Sequence, residues 1–176
     1  MALFLYDSIK GGNKAAFANK VITIANQLNI NPDWLMVVMK FESGLNSKAQ
    51  NTTSGATGLI QFMPSTAIGM GTTTTDLYNM SNVEQLDYVY LYLSRFSGEI
   101  RSLTDLYLTI FYPVAVGKSD DYVLGSTEQQ RKKIAEQNKI FDTNKDGYIT
   151  KAEVKNYIEN YAKKIGFVEE VKKKVG

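Results

Sequence analysis

The sequence predicts an all-α fold, and three observations carry that prediction. Apolar residues recur at helical spacing through most of the chain, recognisable caps bracket those stretches, and no segment alternates apolar and polar residues as a half-buried strand would. With 176 residues and 44% hydrophobic content, the chain can bury a core of its own.

Taken in order, Phe17, Val21, Ile24, Ala25 and Leu28 predict a first helix, ended by the Asn29-Ile30-Asn31-Pro32 break. Asn31 as N-cap and Pro32 in the first turn open a second, with Leu35, Val38 and Met39 on one face. It stops at Ser43-Gly44 and leaves Glu42 at its C-terminal end. A polar loop runs to Gly58, the apolar run Leu59 to Met63 follows, and Pro64 starts a short helix. The threonines Thr72 to Thr75 read as a flexible connection. Ser81-x-x-Glu84 is a capping box ahead of Val83, Leu86, Val89, Tyr90 and Leu93, and Ser97-Gly98 closes that helix. Leu103, Leu106, Tyr107, Ile110 and Phe111 predict a central, buried helix ended by Pro113. Gly117 to Gly125 reads as a polar linker and Ser126-x-x-Gln129 as the cap of a helix that runs to Phe141. Val154, Tyr157, Ile158, Tyr161 and Ile165 mark a final amphipathic helix. Two domains follow from this pattern, 1–125 and 126–176.

Composition narrows the chemistry. The chain has no cysteine and no histidine, which excludes disulfides, thiol nucleophiles, Ser-His catalysis and His- or Cys-ligated zinc. Carboxylates, lysines, tyrosines and hydroxyls remain. Residues 1–125 carry 8 Lys/Arg against 10 Asp/Glu, whereas residues 126–176 carry 12 against 8. A basic tail of this kind leans on an anionic surface such as a cell wall or is simply a solvated helix face, and the second reading is the simpler. The apolar run Ala2 to Tyr6 is too short for a signal peptide and is cut by Asp7, and no stretch is long enough to span a membrane.

The segment Phe41-Glu42-Ser43-Gly44-Leu45-Asn46, followed by Gly55-Ala56-Thr57-Gly58-Leu59-Ile60-Gln61-Phe62-Met63-Pro64-Ser65-Thr66-Ala67, resembles the lysozyme-like lytic transglycosylases. In that family a Glu-Ser pair ends a helix and a Gly-Leu-(Met/Ile)-Gln-x-Met-Pro segment follows. The chemistry agrees with the resemblance. A glycosidic bond breaks when its leaving oxygen is protonated by a carboxylic acid that still holds its proton near neutral pH. The negative end of a helix and apolar neighbours such as Phe41 and Leu45 both push a glutamate's pKa up.

Gly55 and Gly58 suit a loop whose backbone comes close to a sugar, and Gln61 offers a planar amide for hydroxyl or acetamido groups. The resemblance implies that Gln61 and Met63 line the glycan cleft beside Ser43. It also puts Thr52 where the family carries a hydroxyl residue that touches substrate. Met63 serves equally well as core filling. The family's Ala-Tyr-Asn-Ala-Gly-like motif is degenerate here as Phe111-Tyr112-Pro113-Val114-Ala115-Val116-Gly117, with Pro113 in place of Asn. By resemblance Tyr112 is the tyrosine that hydrogen-bonds the catalytic Glu; otherwise it is a core tyrosine. No second carboxylate lies in the motif, which fits a transglycosylase whose substrate groups do the attacking. Asp76, Glu84 and Asp87 are the nearest candidates for a hydrolase's helper.

Asp142-Thr143-Asn144-Lys145-Asp146-Gly147-Tyr148-Ile149-Thr150-Lys151-Ala152-Glu153 has every element of an EF-hand loop. Asp142, Asn144, Asp146, Thr150 and Glu153 supply side-chain oxygens, Tyr148 its carbonyl, and Gly147 the sharp turn. Three carboxylates, of which Glu153 can bind through both oxygens, suit Ca2+. EF-hand sensors work in pairs, and this lone loop reads as a structural clamp.

The sequence thus predicts a lysozyme-like helical domain followed by an EF-hand helix-loop-helix. The expected function is a peptidoglycan lytic transglycosylase that cuts between N-acetylmuramic acid and N-acetylglucosamine and leaves 1,6-anhydro ends. A muramidase or a non-catalytic, calcium-binding glycan module is the alternative. Peptidoglycan strands are the expected partner, with no nucleic acid, no membrane insertion and no oligomer beyond the monomer. The lack of a signal peptide suits a phage virion-associated or phage-released protein acting on the cell wall, and equally a bacterial effector exported by a dedicated machine.

Overall fold

The computed structural model describes residues 2–169. Among the described residues there are eight α-helices, two short 3-10 turns and isolated bridges in place of strands, as an all-α fold requires. No described helix is long and apolar enough to cross a membrane. The chain divides into two compact units, Met1–Gly117 and Lys118–Gly176.

In the first unit α1 spans Lys14–Leu28 and α2 spans Pro32–Ser43. The Asn31 side chain accepts the Asp33 N–H at 2.9 Å, and Pro32 supplies a first-turn residue that has no N–H to satisfy. Sequence spacing gives α2 one apolar face, yet Leu35, Met36, Val37, Val38 and Met39 are all buried, because α1 and α6 (Leu103–Phe111) both pack against it. Each such side chain stabilises by about 1.5–3 kcal/mol when fully buried, so α2 is a fixed base for whatever its end carries. Residues Leu103 to Thr109 of α6 are buried without a break, which makes it the central helix that its composition predicts.

Two expectations fail in this unit. The threonine run is not a flexible connection: Thr72 is buried, the Thr73 hydroxyl accepts the Asp76 N–H at 3.0 Å, and α4 begins at once (Thr74–Asn79), shortly after α3 (Pro64–Gly69). A threonine hydroxyl ahead of a helix caps it, somewhat more weakly than serine or aspartate. In α5 (Asn82–Ser94) both hydrogen bonds of the Ser81–Glu84 capping box are present. Its buried stripe, however, is Asn82, Gln85, Leu86, Val89 and Leu93, with Tyr90 exposed. The stripe therefore includes two amides that an apolar pattern passes over.

In the second unit, α7 (Glu128–Gln137) and α8 (Lys151–Lys164) flank the loop from Asp142 to Glu153. The cap of α7 lies one residue later than the spacing predicts: Thr127 accepts the Gln130 N–H at 3.1 Å, while Ser126 gives both its N–H and its hydroxyl to Gln130 Oε1. The helix ends at Gln137, and Phe141 lies beyond it, edge-on to Tyr157 of α8. Residues 118–125, read from sequence as the end of the first domain, belong with this unit. Leu124 N–H donates to Ile149 O, Lys151 N–H to Tyr122 O and Ala152 N–H to Asp120 O, all at 2.9 Å. Ile149 is fully buried at the centre of this pairing.

Candidate active site and metal loop

Glu42 sits in the last turn of α2, whose end is fixed by Gly44 at φ +63°. There the Gly44 N–H reaches Lys40 O at 2.9 Å and the Leu45 N–H reaches Met39 O at 3.2 Å, the double closure that favours glycine. Beside Glu42, the Phe41 ring stands edge-on to Tyr107 of α6 at 5.3 Å, and Tyr107 stacks on Phe111. Glu42 is half-buried, and burial pushes its carboxyl up from 4.5 to about 7. Such a group holds a proton at neutral pH and can still release it, as a general acid must.

The segment after α2 returns as a tight turn. Thr57 and Phe62 exchange backbone hydrogen bonds at 3.0 and 2.9 Å, enclosing Gly58 to Gln61. The Ser43 hydroxyl lies 2.8 Å from Leu59 O and 3.0 Å from Met39 O, which ties this turn to the end of α2 next to Glu42. Ser43 was expected to touch substrate; its hydroxyl hydrogen is engaged with the protein's own carbonyls.

Gln61 lies at φ +56°, and its Nε2 donates to Ala49 O and Gly58 O, each at 3.1 Å. Because both neighbours are carbonyls, the nitrogen must face them. The amide therefore latches the loop, and only Oε1 is left as an acceptor for a ligand. Met63 is 45% exposed, which rules out core filling. It borders a small pocket of about 40 Å³ with Ile60, Gln61, Thr66, Tyr92 and Ile110. Thr52 lies exposed in the preceding turn. Tyr112 is half-buried just after α6, and no hydrogen bond joins it to Glu42 among the described residues.

The two glycines have a different reason from the one expected. A Cβ at Gly58, φ +91°, would meet Gln85 Oε1 at 2.4 Å, and one at Gly55, φ +77°, would lie 3.1 Å from the Pro64 ring. Close packing against Gln85 requires Gly58, whereas at Gly55 the left-handed backbone is the stronger reason for glycine and the Pro64 contact is merely tight. Gln85 is the residue that the sequence reading missed. It is fully buried, accepts the Leu59 N–H at 2.7 Å and donates to Ser47 O and Leu77 O at 2.9 Å each. The available clue was its place on the buried stripe of α5, one residue before Leu86 and four before Val89.

In the second unit, carboxylate oxygens of Asp142, Asp146 and Glu153 lie within 4.8 Å of one another. Oxygens on opposite sides of a calcium ion, each bonded at about 2.3–2.6 Å, are about 5 Å apart, so the cluster has the span and the all-oxygen chemistry of such a shell. Gly147 at φ +83° makes the turn and frees its N–H for Asp142 Oδ2 at 3.0 Å. Glu153 closes the loop: Oε2 accepts the Thr143 N–H and Oε1 the Thr150 N–H, at 3.0 and 3.1 Å. Thr150 also caps α8, accepting the Glu153 N–H at 3.2 Å. Asn144 accepts the Asp146 N–H, and Tyr148 donates its N–H to Asp146 Oδ1, leaving its carbonyl for another partner.

The end of α2 with its Glu42 carboxyl and the returning turn form one candidate site in the first unit. The family model of the transglycosylase SLT domain matches residues 19–106, a span that holds Glu42, Gly58, Gln61 and Gln85 but neither Tyr112 nor the loop from Asp142 to Glu153. No curated protein matches the chain. The matched span is half of the 176 residues, and the chain belongs to the transglycosylase SLT domain family, with a peptidoglycan-acting domain of the lytic transglycosylase type.

Proposed function

We propose that this chain cleaves the glycosidic bond between N-acetylmuramic acid and N-acetylglucosamine in peptidoglycan without consuming water, with Glu42 as both acid and base. The observation that carries the reading is a carboxyl at the closed end of α2 that keeps its proton to about pH 7. The Glu42 proton passes to the glycosidic oxygen as the bond to the muramic C1 breaks, and the resulting carboxylate then takes the proton of the muramic 6-hydroxyl as that oxygen bonds to C1. Atoms balance without a water, and the product is a 1,6-anhydro ring.

A hydrolase needs a second carboxylate, as base or nucleophile. Two of the three candidates have other employment, since Asp87 pairs with Lys20 at 2.9 Å and Glu84 caps α5, while Asp76 stands exposed in the first turn of α4. Mass spectrometry of digested peptidoglycan separates the two chemistries. Anhydro muropeptides, one water lighter, are expected, and a digest with only reducing muramic ends would overturn the transglycosylase reading.

The same carboxyl sets the pH dependence. The acid form is the competent one in the free enzyme, so kcat/KM is expected to be flat below about 7 and to fall about tenfold per pH unit above it. A profile that rises through pH 7 would show that Glu42 enters the reaction as its carboxylate.

The second unit is proposed to hold one Ca2+ as a structural clamp, through Asp142, Asn144, Asp146, the Tyr148 carbonyl, Thr150 and Glu153. The carboxylate spacing and the turn at Gly147 support this reading. Because the Thr150 hydroxyl is committed to the cap of α8, its contribution is through a water.

A further inference from the structure

We propose that Gln85 is a positioning residue for the glycan-cleaving site: through the backbone of Leu59 it fixes the turn from Gly58 to Gln61 against the end of α2 that carries Glu42. The inference rests on Glu42 being the acid/base.

The backbone of Leu59 is held on both sides of its Cα. Its N–H donates to Gln85 Oε1 at 2.7 Å, and its carbonyl accepts from Ser43, the residue next to Glu42, at 2.8 Å. Gln85 is itself immobilised by donating to Ser47 O and Leu77 O, which lie on either side of the turn in the chain. A side chain that reaches three backbone groups 8 to 38 residues away has no freedom left, and α5 anchors it through Leu86, Val89 and Leu93, all buried. Gly58 completes the fit, since any side chain there would collide with the Gln85 amide. The turn also carries Gln61, so one amide sets the acid and the cleft wall in register. A helix-to-turn tie made only by apolar packing would allow the turn to slide; hydrogen bonds to the two successive peptide groups that flank the Leu59 Cα do not.

The amide is the only side-chain group that does this. A methionine fills the same space and strands the Leu59 N–H and two carbonyls, whereas a protonated glutamate keeps the acceptor for Leu59 and one of the two donors. The test compares Gln85→Met, Gln85→Glu, Ser43→Ala and the Gln85→Met/Ser43→Ala pair, assayed for kcat and KM on soluble, uncrosslinked glycan strands at pH 5. Near-ultraviolet circular dichroism checks that each variant is folded at the assay temperature.

A displacement of about 1 Å in a catalytic site costs about a hundredfold. Gln85→Met is therefore expected to lose about tenfold to a hundredfold in kcat/KM while folded, and Gln85→Glu to recover a large part of that loss. The paired variant is expected to be no worse than Gln85→Met alone, because both changes release the backbone of the same residue, Leu59. The proposal is overturned by a folded Gln85→Met with wild-type kcat/KM or by effects of Ser43→Ala and Gln85→Met that multiply independently. It is equally overturned if no Gln85 variant folds where the wild type works, since Gln85 then serves folding alone. Glu42→Gln run alongside keeps the two claims apart. Its retaining activity would sink the acid/base reading, while a dead Glu42→Gln beside an unaffected Gln85→Met would sink only the positioning role.

Discussion

Replacing Glu42 with Gln is expected to abolish peptidoglycan cleavage, a loss of about a hundredfold to ten-thousandfold or more, and to leave the fold in place. The amide has the shape of the carboxyl but has no acid proton to transfer. Among the described residues the Glu42 side chain makes no hydrogen bond that the change would break, and burial is what raises its pKa. The same fact fixes the sign of a stability effect. The folded carboxyl keeps its proton to about 7 and an unfolded one only to 4.5, so the native state binds the proton more tightly and loses stability as pH rises between those values. The Gln variant carries no charge to bury. It is expected to melt higher than the wild type at pH 8, with the difference gone at pH 4, where both are neutral. Turbidity clearance of purified cell walls measures the activity, and melting curves at the two pH values measure the rest. Clearance near the wild-type rate would remove Glu42 from the chemistry. Equal melting temperatures at pH 8 would mean that its carboxyl is no more costly folded than in water.

Local chemistry made the elements around the site legible. Asn31, Pro32 and Gly44 each do at the ends of α2 what their side chains or lack of one dictates, so the helix that presents Glu42 could be bounded to the residue. The capping box before α5 was readable for the same reason. What escaped was decided by contacts distant in sequence. Gln61 and Ser43 are polar residues in a family motif and suggest sugar recognition, but their hydrogens go to backbone carbonyls that only the folded turn brings near. Gln85 reaches Leu59 across 26 residues, and nothing beside it in the chain announces that. The reassignment of residues 118–125 has the same origin, since their pairing with Ile149 and Lys151 is invisible in a polar stretch that looks like a linker. The shifted cap of α7 is smaller in kind: Ser126 and Thr127 both suit the position, and Gln130 takes Ser126 as its partner, leaving the cap to Thr127.

Removing calcium is expected to lower the melting temperature of the second unit and to leave cleavage at Glu42 largely untouched below that temperature. Three carboxylates held within 4.8 Å of one another repel, and a divalent cation relieves that repulsion. A ligand that binds only the native state at a hundred times its dissociation constant stabilises by about 2.7 kcal/mol, which for a chain of this size corresponds to about 5–10 °C if it melts as one. The variants must be chosen with the loop's own hydrogen bonds in mind. Glu153→Ala would also remove the acceptor for the Thr143 and Thr150 N–H groups and weaken the start of α8 with or without metal. Glu153→Gln keeps one acceptor oxygen and loses the two-oxygen grip on the ion, and Asp142→Asn likewise keeps a contact to the Gly147 or Asp146 N–H. The quantity to compare is therefore the calcium-dependent part of the melting shift, expected to be large in the wild type and nearly absent in both variants. Magnesium is expected to give a smaller shift, because it demands six oxygens at about 2.1 Å, whereas a Glu that binds through both oxygens supplies the larger shell that calcium takes. Wild-type melting curves that overlay with and without chelator would show that the loop binds no calcium. Loss of cleavage on chelation at a temperature where both units remain folded would make the ion a regulator of Glu42 rather than a clamp on α7 and α8.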